Sequence, residues 1–97
     1  MEPYKVIIRP IDTEKTRYQA DELRQYTFVV DRRANKIDVK RAIESIFGVE
    51  VETVNVINMP AKITRRRGRR GIVRSPQWRK AIVTLAKGQR LELFEGV

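Results

Sequence analysis

Apolar and polar positions alternate along the chain with two distinct periods. Residues 4–9, Tyr-Lys-Val-Ile-Ile-Arg, form an apolar run that predicts a short strand stopped by Pro10. Thr13 stands where a helix N-cap is expected, and Glu14 falls in the first turn, where the helix dipole favours an acid. A weakly amphipathic helix follows to about Leu23. Residues 25–31 alternate as a strand, with Tyr26, Phe28 and Val30 on one face and Thr27 and Val29 on the other. The period then lengthens. Val39, Ala42, Ile43, Ile46 and Phe47 fall on one helical stripe, Lys40, Arg41 and Glu44 on the outer face. Asn35 is the N-cap of this helix, Asp38 its third residue, and Gly48 its stop.

The period shortens again in residues 49–59, which read as β-structure with Val54 and Val56 facing the core and Thr53, Asn55 and Ile57 facing away. The alternation slips near Glu52 and Thr53, so the strand starts after Val49 or carries a bulge. Residues 78–86 form the last main strand, with Ala81, Val83 and Leu85 on one face. Lys87-Gly88 makes a turn, and Leu91, Leu93 and Phe94 supply a short terminal apolar patch. The order is β-α-β-α-β-β, an α+β class with two helices on a small antiparallel sheet. The last two main strands pair as a hairpin whose connection, residues 60–77, far exceeds the usual two to five residues. No internal repeat and no second domain appear, so residues 1–97 are read as one domain.

Composition narrows the chemistry. The 97 residues include no Cys and no His. Disulfide scaffolds, zinc fingers, thiol nucleophiles and His general bases are thereby excluded. No apolar run approaches a membrane span, so no membrane insertion is expected. The opening Met1-Glu2-Pro3-Tyr4 has no basic region leading into an apolar one, so no secretory signal is read there and the expected compartment is cytoplasmic.

Charge changes the picture more. The chain carries 21 Lys+Arg against 12 Asp+Glu, a net +9. Residues 60–80 hold nine cations and no acid: Lys62, Arg65, Arg66, Arg67, Arg69, Arg70, Arg74, Arg79 and Lys80. The remaining 12 cations balance the 12 acids, so the whole +9 belongs to this one segment. A solvated basic loop that aids solubility is the ordinary reading of a few Arg residues. Nine uncompensated cations raise the free energy of the folded chain and call for a polyanion. Guanidinium forks hold phosphate oxygens in pairs and stack on exposed bases, and Gly68 and Gly71 let the backbone come close to the ligand. Such a segment suits RNA.

Other candidates are weaker. Trp78 is the single Trp, placed either to stack on a base or to pack at the sheet edge. Tyr26 and Phe28 invite comparison with RNA-stacking platforms, but core positions fit them better. Glu14, with Asp12 near it in sequence, is either a helix-start acid or a protein contact. Ser45 and Ser75 have no His to activate them, the carboxylates form no acid/base pair, and no phosphate-cradling glycine motif is present. No catalytic role, cofactor, metal or small-molecule substrate is expected.

Three stretches are similar to a known family. Pro10-Ile11-Asp12-Thr13-Glu14-Lys15 resembles the Pro-x-x-Ser/Thr-Glu-Lys opening of large-subunit ribosomal protein twenty-three. The region from Val39 to Asn55, with Ile43, Phe47 and Val49-Glu50-Val51, looks like that family's middle. Trp78-Arg79-Lys80-Ala81-Ile82-Val83-Thr84-Leu85 resembles its Trp-Lys-Lys-Ala signature. The likeness spans residues 5–95. It implies a structural constituent of the large ribosomal subunit that binds large-subunit rRNA, in its third domain, beside neighbouring ribosomal proteins at the rim of the peptide exit tunnel. Lys62 to Lys80, with Trp78, would be the RNA-contacting element. Glu14 matches the acid that the bacterial family offers to trigger factor, on a surface shared with the signal recognition particle and the translocon. Where some members carry an acid after the helical Phe, this chain has Gly48.

Two other classes share parts of the pattern. A free-standing nucleic-acid-binding regulator with an Arg-rich arm would use the same charge physics. An acylphosphatase has the size and a similar sandwich, but Pro10-Ile11-Asp12-Thr13 stands where its phosphate-cradling loop and catalytic Arg would follow the first strand.

Overall fold

The computed structural model describes residues 2–64 and 72–91, and of residues 62–64 and 72–75 only the backbone. Leu93 and Phe94 lie outside the described residues.

The chain enters as a one-turn helix, α1 (Pro3–Val6), and only then as strand β1 (Ile7–Pro10). A strand over the whole of residues 4–9 is therefore corrected. Pro3 sits in the first turn with its φ already helical and needs no N–H there. The turn buries Val6 and leaves Tyr4 exposed. Helix α2 (Glu14–Leu23) begins at Thr13 as expected. Thr16 N–H donates to Thr13 Oγ1 at 3.2 Å and Thr13 N–H to Thr16 Oγ1 at 2.8 Å, so the two threonines cap each other. Arg24, left-handed at φ 57°, turns the chain into β2 (Gln25–Val30).

Helix α3 (Lys36–Phe47) follows the sequence reading closely. Asp38 N–H donates to Asn35 Oδ1 at 2.9 Å, and Asn35 N–H donates back to Asp38 Oδ2 at 3.1 Å. Gly48 ends the helix at φ 66°, a conformation that glycine adopts without steric cost. One outer-face assignment is corrected. Glu44 is half-buried, because its Oε2 accepts the Val51 N–H at 3.1 Å and starts the next strand.

That strand, β3 (Val51–Met59), shifts register between Val51 and Thr53, where the alternation slips in the sequence. It pairs antiparallel with the last strand, β6 (Trp78–Leu85), from Val51↔Leu85 to Met59↔Trp78. The long connection is not structureless at its base. Strands β4 (Lys62–Thr64) and β5 (Ile72–Ser75) pair as a second, two-stranded sheet that prolongs the hairpin. Pro60 and Pro76 stand on opposite sides of the junction. Neither offers an N–H, and the ladder breaks there.

The main sheet runs β1-β2-β6-β3, antiparallel throughout. Register puts Tyr26, Phe28, Ala81, Val83, Val54 and Val56 on one face. Phe28 lies 6.4 Å, centroid to centroid, from Phe47 of α3, which marks this face as the core. Ala81, Val83 and Leu85 are 0% exposed, as their alternation predicts. Tyr26 and Phe28 are buried too, so neither is a stacking platform. Thr27, Ile82, Lys80, Ile57, Trp78 and Met59 share the opposite face. Thr13, the N-cap, with Thr16 and Gln19 of α2, lines a recess on this face together with Thr27 and Ile82, so the sheet lies between α2 and α3. α2 covers this face near β2, where Thr27 and Val29 are buried, and leaves Asn55 and Ile57 of β3 exposed.

Candidate nucleic-acid interface

The hairpin made by β3 and β6 continues through β4 and β5 toward the Arg-rich segment. Lys62 and Arg74 are placed by backbone on β4 and β5. Arg65, Arg66, Arg67, Arg69 and Arg70 lie outside the described residues. The geometry of the site is therefore that of the hairpin's root, where Trp78, Arg79 and Lys80 emerge on β6.

These three neighbours do different work. Trp78 and Lys80 are half-buried on the face opposite the core. Arg79 lies on the core side, where its guanidinium donates to the Ala34 carbonyl and its Nε donates to Asn58 Oδ1 at 2.9 Å. Alternation along β6 is what separates them, since successive side chains point to opposite faces.

Two open recesses flank Trp78. One, about 410 Å³, is lined by Arg32, Asn58, Met59, Gln77 and Trp78 among others. A smaller one, about 270 Å³, lies between Thr13 and Lys15 of α2 and Thr27, Trp78 and Lys80 of the sheet. Met59 and Trp78 belong to both, so the indole stands as a partition between them. The fold thus brings Lys15 and Arg32 beside the root, two cations that the sequence placed far from it. The Arg32-Arg33 pair was the one visible hint. Nothing local marks Asn58, Gln77 or Lys15 as site residues, because strand register and the seat of α2 decide their positions.

Glu14 is exposed at the first position of α2, next to Thr13 and Lys15 of the smaller recess. It is distant from the hairpin in sequence but near its root in the fold. Asp12 does not reinforce it as a free acid. Arg17 Nε and Nη2 donate to the two Asp12 carboxylate oxygens at 2.6 and 3.0 Å. That hydrogen bonding holds the Asp12 carboxyl below its ordinary value. Among the described residues no group of acidic side chains is arranged to hold a metal ion.

Comparison with known proteins sets this sequence among the ribosomal proteins. The family described as Ribosomal protein L23 matches residues 5–93. A Large ribosomal subunit protein uL23 of Desulfovibrio desulfuricans is 45% identical over 97 residues, covering 100% of both chains. One of Roseiflexus castenholzii is 49% identical over 96 residues, covering 99% of each. A third, of Syntrophus aciditrophicus, is 41% identical over 96 residues, covering 99% of this chain and 98% of its own. The chain belongs to the ribosomal protein L23 family.

Proposed function

We propose that the chain anchors in large-subunit rRNA through the cationic hairpin of residues 60–80 and offers the start of α2, at Glu14, to factors that meet the nascent chain. As a member of its family it is a structural, non-enzymatic constituent of the large ribosomal subunit, in the cytoplasm with the ribosome. The regulator and the acyl-phosphate hydrolase give way to that assignment. Neighbouring large-subunit proteins are its protein partners on the particle. Trigger factor, the signal recognition particle and the translocon are the partners proposed at the tunnel exit. Among the described residues no helix is long and apolar enough to cross a membrane.

One observation carries the RNA-binding reading. Nine cations without an acid fall within residues 60–80, while the rest of the chain is electrically balanced. Neutralising about six phosphates releases their counterions and sets a slope of roughly −4 to −5 in log K against log salt. Replacing Arg65, Arg66, Arg67, Arg69 and Arg70 by Gln tests the reading. Tight rRNA binding and most of the salt slope should disappear, while the thermal unfolding transition persists because the core is built elsewhere. Unchanged affinity in the variant, or binding by the natural chain that ignores salt, overturns the proposal.

A further inference from the structure

The larger recess at the hairpin root has a mixed lining that phosphate binding alone does not need. Its volume, about 410 Å³, lies in the range of clefts that take small flat ligands, about 300–1,000 Å³. Met59 and Trp78 give it an apolar wall, Asn58 and Gln77 two amides, and Arg32 a cation at the rim. Met59↔Trp78 is the last pair of the main ladder before the Pro60/Pro76 break, and Pro60 joins the lining at that end.

The Asn58 amide is oriented by the fold. Its Oδ1 is held by Arg79 Nε at 2.9 Å, and Arg79 is itself anchored on the Ala34 carbonyl. With the oxygen engaged, the amide end left for a ligand is the NH2 donor. Trp78 is only half-buried, and the core side of β6 is filled by Ala81, Val83 and Leu85. Its ring is therefore not needed to close the core.

We infer that this recess receives one unpaired base of the RNA held by the hairpin, stacked on Trp78 and contacted through a carbonyl or ring-nitrogen acceptor by the Asn58 NH2. This rests on the RNA-binding reading and adds a base contact to what is otherwise binding through the phosphate backbone. Arg79 is the positioning residue, since it sets which end of the Asn58 amide is free. Arg32 lines the same recess and Lys80 the neighbouring one, each with Trp78, and these two cations would take the flanking phosphates.

Trp78 is the only Trp, so its fluorescence reports the stack directly. The full chain is titrated with deproteinised large-subunit rRNA, and base-specific and backbone-cleaving probes are applied to the complex. Trp78 emission should be quenched on binding, and one unpaired base should become protected. In Trp78→Leu and in Asn58→Ala that base should regain its reactivity while backbone protection along the hairpin persists. Trp78→Leu should weaken binding about 10- to 100-fold, the loss expected for one base stack. Trp78→Phe, which keeps a ring, should retain the protection, and the exposed Asn58 position gives a reading independent of any folding defect at Trp78. Salt-sensitive binding with unchanged Trp78 emission, or base protection that survives both Trp78→Leu and Asn58→Ala, overturns this inference and leaves hairpin binding intact. Absence of rRNA binding overturns both.

Discussion

Arg79 donates to the Ala34 carbonyl, just before α3, while its Nε holds Asn58 on β3. One cation from the basic segment thus ties three parts of the body together. Composition counts it alike with the other cations of residues 60–80, but its two bonds give it a structural place in the fold.

Arg79→Ala should therefore destabilise the fold, whereas Gln substitutions in residues 65–70 should not. Removing a charged donor from a partly buried carbonyl and an amide costs about 1–3 kcal/mol. Arg79→Lys should restore only part, since an ammonium lacks the fixed fork that reaches two acceptors. Urea unfolding midpoints separate the cases, and an unaltered midpoint in Arg79→Ala would dismiss the structural role.

Tyr26 gives a second stability test away from the interface. Its hydroxyl accepts the Leu91 N–H at 3.0 Å, both residues being buried. Tyr26→Phe keeps the ring but strands that N–H, at an expected cost of about 1–3 kcal/mol. Hydrogen exchange at Leu91 should accelerate more than exchange at Ile43 in α3. Equal acceleration at both sites would mean that the bond contributes nothing local.

Glu14→Ala separates protein docking from RNA binding. The side chain sits on the solvent side of the first turn of α2, outside the recess beside Trp78. Ribosomes carrying the variant should retain less trigger factor on co-sedimentation, with rRNA affinity unchanged. Loss of a dipole-facing acid should cost the helix only about 0.3–1 kcal/mol. Full retention of trigger factor would remove Glu14 from the docking surface.

Acid sensitivity follows from two carboxyls. Hydrogen bonding from Arg17 lowers the pKa of Asp12, and the Arg33 backbone N–H, with help from its side chain, lowers that of Asp31. A carboxyl lowered in the folded state stabilises folding above its unfolded value, near 3.8 here, and loses that contribution as pH falls through the folded value. Thermal melts taken from neutral pH into that acid range should decline more steeply for the natural chain than for Asp12→Asn combined with Asp31→Asn. Solvent screening at these exposed sites keeps the difference small. Parallel declines would show that neither contact matters to folding.

Helix α3 is legible in the sequence because its signals act within a few residues. Asn35 and Asp38 cap its start, Gly48 ends it, and Val39, Ala42 and Ile43 fill the buried stripe. The burial of Ala81, Val83 and Leu85 and the slip near Thr53 were equally local, since alternation is a property of one strand. The first strand starts at Ile7 rather than Tyr4, because Pro3 and the burial of Val6 outweigh a β-like apolar run there. The candidate site divided along the same line. Its cationic residues were visible as a charge run that needs no fold to be recognised.

What the amino-acid order determined alone was the α+β class, the two long helices and the concentration of charge in residues 60–80. Caps, periodicity and net charge are short-range or additive, so they survive without a tertiary frame. Pairing in the order β1-β2-β6-β3 decided the rest. It set Asn58 beside Arg79 and, with the seat of α2, brought Lys15 to Trp78. It also turned Arg79 inward while its neighbours Trp78 and Lys80 faced out. Those relationships depend on register and on which side of the sheet each helix packs, and both are settled only when separated segments bury their apolar faces together.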